Sequence, residues 1–114
     1  MRILLVDDDV MLSDLVVLVL QKNGGHEVEV LASADPAIER ITEGDLHLVL
    51  TDWCVPGGGG QKIVDSAESA GLPVGIITGL SENEVPDFPV LQKPFRLGAL
   101  QQFVTMLLGP GVAV

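Results

Sequence analysis

Four short apolar runs, each broken off by a polar residue, constrain this chain more than any other feature. ILLV runs into Asp7 and Asp8, LVLT into Asp52, VGII into Thr78, and VLQ into Lys93. Uninterrupted apolar runs of about 4–8 residues mark strands covered on both faces. Between them lie stretches of helical spacing, clearest from Val10 to Asn23, where Met11, Leu12, Leu15, Val16, Val19 and Leu20 recur on one side. Strands alternating with helices predict a parallel sheet with right-handed crossovers and helices on both faces. The ligand site of such a sheet lies outside the carboxyl ends of its strands, where strand order reverses. The residues that end the runs are therefore expected to meet in space, although Asp7 and Lys93 stand far apart in the chain.

The remaining punctuation agrees. Gly24 and Gly25 end the first helix, and Glu27 to Leu31 alternates like a half-buried strand. Ser33 is placed to cap a helix with Pro36 in its first turn that runs toward Thr42, where Gly44 and Asp45 break it. Leu46 to Thr51, Val74 to Thr78 and Val90 to Gln92 give the third, fourth and fifth strands. Gln61 to Ala70 gives a third helix, and Arg96 to Leu108 a closing one that Gly109 and Pro110 stop. Between Thr78 and Lys93 the rhythm falters. Ser81 and Glu84 form a capping box, but Pro86 and Pro89 follow at once, so the helix here is expected to be cut to about one turn.

Length and charge narrow the possibilities. The 114 residues, 47% of them apolar, suit one domain over 1–114, with 109–114 as a tail. A net charge of −10 with only six Lys and Arg speaks against direct contact with nucleic acid or an anionic membrane. A lone cysteine, Cys54, forms no internal disulfide, and no signal or membrane-spanning segment is visible, so the expected location is cytoplasmic.

Taken together, these residues resemble the receiver domain of a two-component response regulator, of the chemotaxis-regulator-like kind, along essentially the whole chain. The resemblance rests on the acidic pair Asp7-Asp8, the D-x-x-x-P-x-x-x-G loop from Asp52 through Pro56 to Gly60, Thr78 at the end of the fourth strand, and Lys93-Pro94-Phe95 after the fifth. It implies a flavodoxin-like, doubly wound five-stranded sheet of order 2-1-3-4-5 with a shortened fourth helix. It also implies a switch, not a turnover enzyme. Asp52 is then the phosphoacceptor, taking a phosphoryl group from a sensor histidine kinase or histidine phosphotransfer protein in a phosphorelay. The downstream protein partner is not implied. The Lys93-Pro94 bond is expected to be cis. An aromatic is usual at the switch position three before the lysine, and here it is Val90, so output by the usual rotamer switch is not expected.

Residue chemistry supports the same site. Two carboxylates about 4 Å apart repel by roughly 4 kcal/mol at an effective dielectric near 20, so three at one strand junction call for a cation. Mg²⁺ takes oxygen ligands in an octahedron and keeps several waters. Asp8, Asp52 and the Cys54 carbonyl are its expected ligands, with Asp7 acting through water. Lys93 and Thr78 are then placed to stabilise the transferred group.

Plainer readings weigh against each residue singly. Three aspartates in a row are often a solvated helix start, the role left to Asp9. Thr78 alone reads as strand filler and Lys93 alone as a surface lysine. Gly57 to Gly60 has no following Lys-Ser or Lys-Thr, so a nucleotide loop is rejected in favour of a turn. His26 and His47 fall at the opposite ends of the strands and read as structural. Cys54 has no basic neighbour and reads as a small apolar side chain, not a reactive thiol. Two other functions compete: a receiver-like protein-interaction module that is never phosphorylated, and a haloacid-type phosphatase. The second needs an acid two residues after Asp52, where Cys54 stands. The chain's ending after GPGVAV fits either a stand-alone receiver or the terminal receiver of a hybrid kinase.

Overall fold

The computed structural model describes residues 1–80 and 88–109. Its strands are β1 (Arg2–Val6), β2 (Glu27–Leu31), β3 (Leu48–Thr51), β4 (Val74–Thr78) and β5 (Val90–Gln92). The helices among the described residues are α1 (Val10–Gly24), α2 (Ala34–Glu43), α3 (Gly59–Ser69) and α4 (Leu97–Leu108). All strand pairs are parallel, in the order β2-β1-β3-β4-β5. Order reverses beside β1, which lies between β2 and β3, and the acidic residues follow β1 and β3. The shortened helix expected near Ser81 to Glu84 lies outside the described residues.

Period-two alternation splits the apolar strands between two cores. Leu4, Val6, Val49 and Ile76 point to one face, where Ala37, Ile41, Ile63, Val64 and Ala67 from α2 and α3 cover them. Ile3, Leu5, Leu48, Leu50 and Ile77 point to the other, against Val16, Val19 and Leu20 of α1 and Leu100, Phe103 and Val104 of α4. A strand residue fully removed from water on either face contributes about 1.5–3 kcal/mol. This is why β1, β3 and β4 read as unbroken apolar runs while the edge strand β2 alternates.

Two element starts and one cap differ from expectation in ways the backbone bonds explain. β3 begins at Leu48, because His47 donates its N–H to the Arg2 carbonyl at 2.9 Å only as the strand enters the sheet. Helix α3 begins two residues early, inside the glycine run. There Gly59 N–H reaches the Val55 carbonyl at 3.0 Å and Gly60 N–H the Trp53 carbonyl at 2.7 Å. Ser33 does occupy the N-cap of α2, yet its side chain makes no cap hydrogen bond. The Pro56 carbonyl takes over part of that role, accepting the Ala34 N–H at 2.9 Å. The β3 and α2 details rest on contacts with distant segments, and the α3 start on backbone bonds within the Trp53–Gly60 loop.

Candidate functional site

β1, β3 and β5 each deliver one charged side chain to the same edge of the sheet. The Lys93 ammonium donates to Asp7 Oδ2 at 2.9 Å and to Asp52 Oδ2 at 2.8 Å, joining residues 86 and 41 positions apart. Asp7 is buried, and its other oxygen accepts the Asp9 N–H at 2.9 Å. The other oxygen of Asp52 accepts the Cys54 N–H at 3.1 Å. Lys93 is aimed from a loop held by its own N–H on the Thr78 carbonyl at 2.8 Å, and the Lys93-Pro94 bond that follows is cis, as expected.

The electrostatics follow. Burial pulls the Lys93 ammonium down, but the hydrogen bonds it donates to Asp52 and Asp7, reinforced by their charges, outweigh it and hold its pKa above the ordinary lysine value. One ammonium thus serves two carboxylates, with a third, Asp8, exposed beside them.

The other candidate residues divide. Thr78 is buried at the end of β4, and its Oγ1 accepts the Leu80 N–H at 3.3 Å, so its hydroxyl proton remains to be given. Val90 pairs with Ile76 across the sheet and packs against the α2–α3 core, as an aliphatic filler. Cys54 meets Asp52 through its amide, and its side chain is exposed. Asp9 caps α1, its side chain accepting the Leu12 N–H at 3.2 Å. His47 lies at the far end of the sheet, where its Nδ1 accepts the Arg2 N–H at 2.9 Å.

Among the described residues, no three His, Cys, Asp or Glu side chains lie close enough to hold a metal ion by themselves. The Lys93 ammonium fills the space between Asp7 and Asp52, and Asp8 faces water. The donor set nevertheless fits a hard divalent cation: every side-chain donor is carboxylate oxygen, and three negative charges stand against one positive charge.

A feature that sequence reading missed borders this cluster. Asp9, Leu12, Leu15, Lys93, Pro94 and Phe95 line a mostly apolar groove of about 430 Å³ between α1 and the loop after β5. Val10, Met11, Leu15 and Leu18 on α1 and Leu97 on α4 are exposed. The signal was present in the sequence: α1 carries more apolar residues than one buried face needs. Among the described residues no helix is long and apolar enough to cross a membrane.

A family model described as the response regulator receiver domain matches residues 3–105. The phosphate regulon transcriptional regulatory protein PhoB of Klebsiella pneumoniae is 33% identical over 87 residues, 73% of this chain and 38% of its own length. The chain thus spans about two fifths of the curated relatives it matches. A response regulator receiver protein from Sinorhizobium medicae superposes with a TM-score of 0.85 at 29% identity, covering 94% of this chain and 93% of that one. The receiver domain of the sensor histidine kinase PA1611 from Pseudomonas aeruginosa, solved with a magnesium ion in its active-site cleft, shares the fold. It superposes with a TM-score of 0.83 at 20% identity, over 96% of this chain and 98% of that one.

Proposed function

The chain belongs to the response regulator receiver domain family of two-component systems, and from that premise we propose that Asp52 accepts a phosphoryl group from a phosphohistidine and so acts as a switch. The observation that carries this reading is the Lys93 ammonium held 2.8 Å from Asp52 and 2.9 Å from Asp7. A lysine kept charged against an aspartate at a strand end is suited to a transferring group whose charge develops there.

In the proposed step an Asp52 carboxylate oxygen attacks phosphorus, and the bond from phosphorus to the donor imidazole nitrogen breaks. The electron pair returns to the imidazole, which takes up a proton, and an acyl phosphate is left on Asp52. Lys93 loses a full carboxylate partner at Asp52 and gains a phosphoryl oxygen in its place. Asp7, buried and tied to both Lys93 and the Asp9 amide, keeps the ammonium aimed. Thr78, with its oxygen already accepting from Leu80, gives its hydroxyl proton to the new group. Asp8 and Asp52, with the Cys54 carbonyl and with Asp7 through water, are the residues that would hold Mg²⁺, which when bound neutralises charge on the phosphoryl oxygens.

The donor is a sensor histidine kinase or a histidine phosphotransfer protein, seated over the groove that opens beside Lys93. Reaction is stoichiometric, so the chain modifies itself and is no turnover enzyme; its place is the cytoplasm, where such kinases present their phosphohistidine. Incubation with phosphoramidate and Mg²⁺, followed by intact mass, tests the reading. One added phosphoryl group per chain, lost when EDTA replaces Mg²⁺, is the expected result; no addition favours the unphosphorylated interaction module, and continuous release of phosphate a phosphatase.

A further inference from the structure

The segment after Asp52 does more than turn the chain. The Cys54 N–H donates to Asp52 Oδ1 at 3.1 Å, so the backbone of this loop hangs from the reacting side chain itself. From there two ties lead away. The Trp53 carbonyl accepts the Gly60 N–H at 2.7 Å and the Val55 carbonyl the Gly59 N–H at 3.0 Å, at the start of α3. The Pro56 carbonyl accepts the Ala34 N–H at 2.9 Å, at the start of α2. The ties are close as well as bonded. A Cβ on Gly60 would lie 2.7 Å from the Trp53 ring and 2.9 Å from the Asp52 carbonyl, and one on Gly57 would touch Ala34 at 3.5 Å.

Between the ties the chain is built to bend. Gly57, Gly58 and Gly59 have φ of 90°, 118° and 72°, three consecutive left-handed residues that side chains rarely tolerate. On the opposite side of the site the backbone lacks this freedom: Asp7 is buried at the end of a fully covered strand.

We propose that the Asp52–Gly60 loop is a strap that couples the chemical state of Asp52 to the N-termini of α2 and α3, and so carries the signal to that face of the molecule. The proposal rests on Asp52 being the phosphoacceptor. Formation of the acyl phosphate removes the carboxylate charge that holds the Cys54 amide and places new acceptor oxygens beyond it. The amide follows the stronger acceptor, the glycines absorb the rotation, and the Pro56 carbonyl shifts against Ala34. Val90 supplies no aromatic rotamer to carry the signal toward β5, whereas the strap needs none.

Amide resonances of the ¹⁵N-labelled chain, recorded with Mg²⁺ before and after phosphoramidate, test this, with intact mass measured on the same sample. The expected result is a shift of the Ala34 and Gly60 amides on phosphorylation while His47, at the far end of the sheet, stays in place. Ala34→Pro cuts the tie selectively, because proline at the first helical position lacks the N–H yet suits the helix, and Ser33 before it is already extended. In wild type the shift runs on to Ile38 and Ile41 in α2; in the variant Asp52 is labelled as before, but that α2 response is lost. Full labelling of wild type with unmoved Ala34 and Gly60 amides overturns the strap even if the variant does not fold. A persistent α2 response in a folded Ala34→Pro chain overturns it too. Failure of Mg²⁺ and phosphoramidate to label the wild type overturns the phosphoacceptor reading beneath it.

Discussion

The two ends of this sheet carry the same charge motif in different surroundings. At the carboxyl ends of the strands Lys93 bridges Asp7 and Asp52; at the amino ends Arg2 bridges Glu27 and Asp45. The side chains of the first trio are 21%, 2% and 13% exposed, and those of the second 33%, 72% and 74%. Water screens the Arg2 cluster, so its charges have little to do beyond the surface. The Lys93 cluster is partly desolvated, so each charge there depends on its partner, and one more or one fewer changes the whole group. The second situation is the one the proposed phosphoryl transfer needs, and it arises because β1 and β3 are covered on both faces right up to their acidic ends.

The largest expected effect separates the ends directly. Lys93→Met leaves Asp7 and Asp52 side by side without a cation and should cost about 2–3 kcal/mol, below the roughly 3–5 of a fully buried pair because the ammonium is partly hydrated. Arg2→Met should leave the urea midpoint nearly unchanged. Equal losses from the two variants would break the contrast.

A smaller effect sharpens the chemical end. If Asp52 carries the phosphoryl group as proposed, Cys54 and Leu80, two residues after Asp52 and Thr78, are the side chains expected to border the approach of an in-line water. Neither orients a water, since a thiol donates weakly and an isobutyl group not at all. A long-lived phosphate follows, and Cys54→Asn with Leu80→Glu should speed its loss several-fold at equal Mg²⁺. Following the decay by intact mass checks this, with an unchanged rate as the contrary result.

The smallest effects are in pH, and they run in opposite directions. Lys93 has a raised pKa in the folded chain, so its contribution is complete below the unfolded value and is lost as pH rises through the folded one. His26, near the other end, is pushed down by burial first and by the Met1 ammonium second. Its contribution is present above the ordinary histidine value, near 6.5, and declines as pH falls below it toward the folded value. Chemical denaturation from pH 5 to 7.5 should show the acid-side decline in wild type and a flatter profile in His26→Gln.

The fold was legible because the central strands are written as unbroken apolar runs, and the glycines and prolines mark most element ends. Asp7, Asp52 and Lys93 were legible for the same reason, since each closes such a run and parallel pairing leaves them no other place to go. What the sequence concealed is which backbone groups pair, within a loop or across the fold. Ser33 looked like a self-sufficient cap, but a carbonyl from the Asp52 loop supplies the bond. Gly59 and Gly60 looked like turn and proved to be helix, because Val55 and Trp53 accept their amides. Cys54 was read for its side chain and carbonyl, while its amide is the group bonded to Asp52. Met11 and Leu15 were read into the apolar side of α1 yet are exposed, because periodicity marks a helix's apolar side and is silent on how much of it a neighbour covers.

The central claim is that the desolvated cluster works and its exposed counterpart does not. Stoichiometry of phosphoryl addition from phosphoramidate with Mg²⁺, measured in parallel on wild type, Asp45→Asn and Asp52→Asn, tests it most directly. The account predicts one group per chain in wild type and in Asp45→Asn, and none in Asp52→Asn. Label retained in Asp52→Asn, or lost in Asp45→Asn, would contradict it.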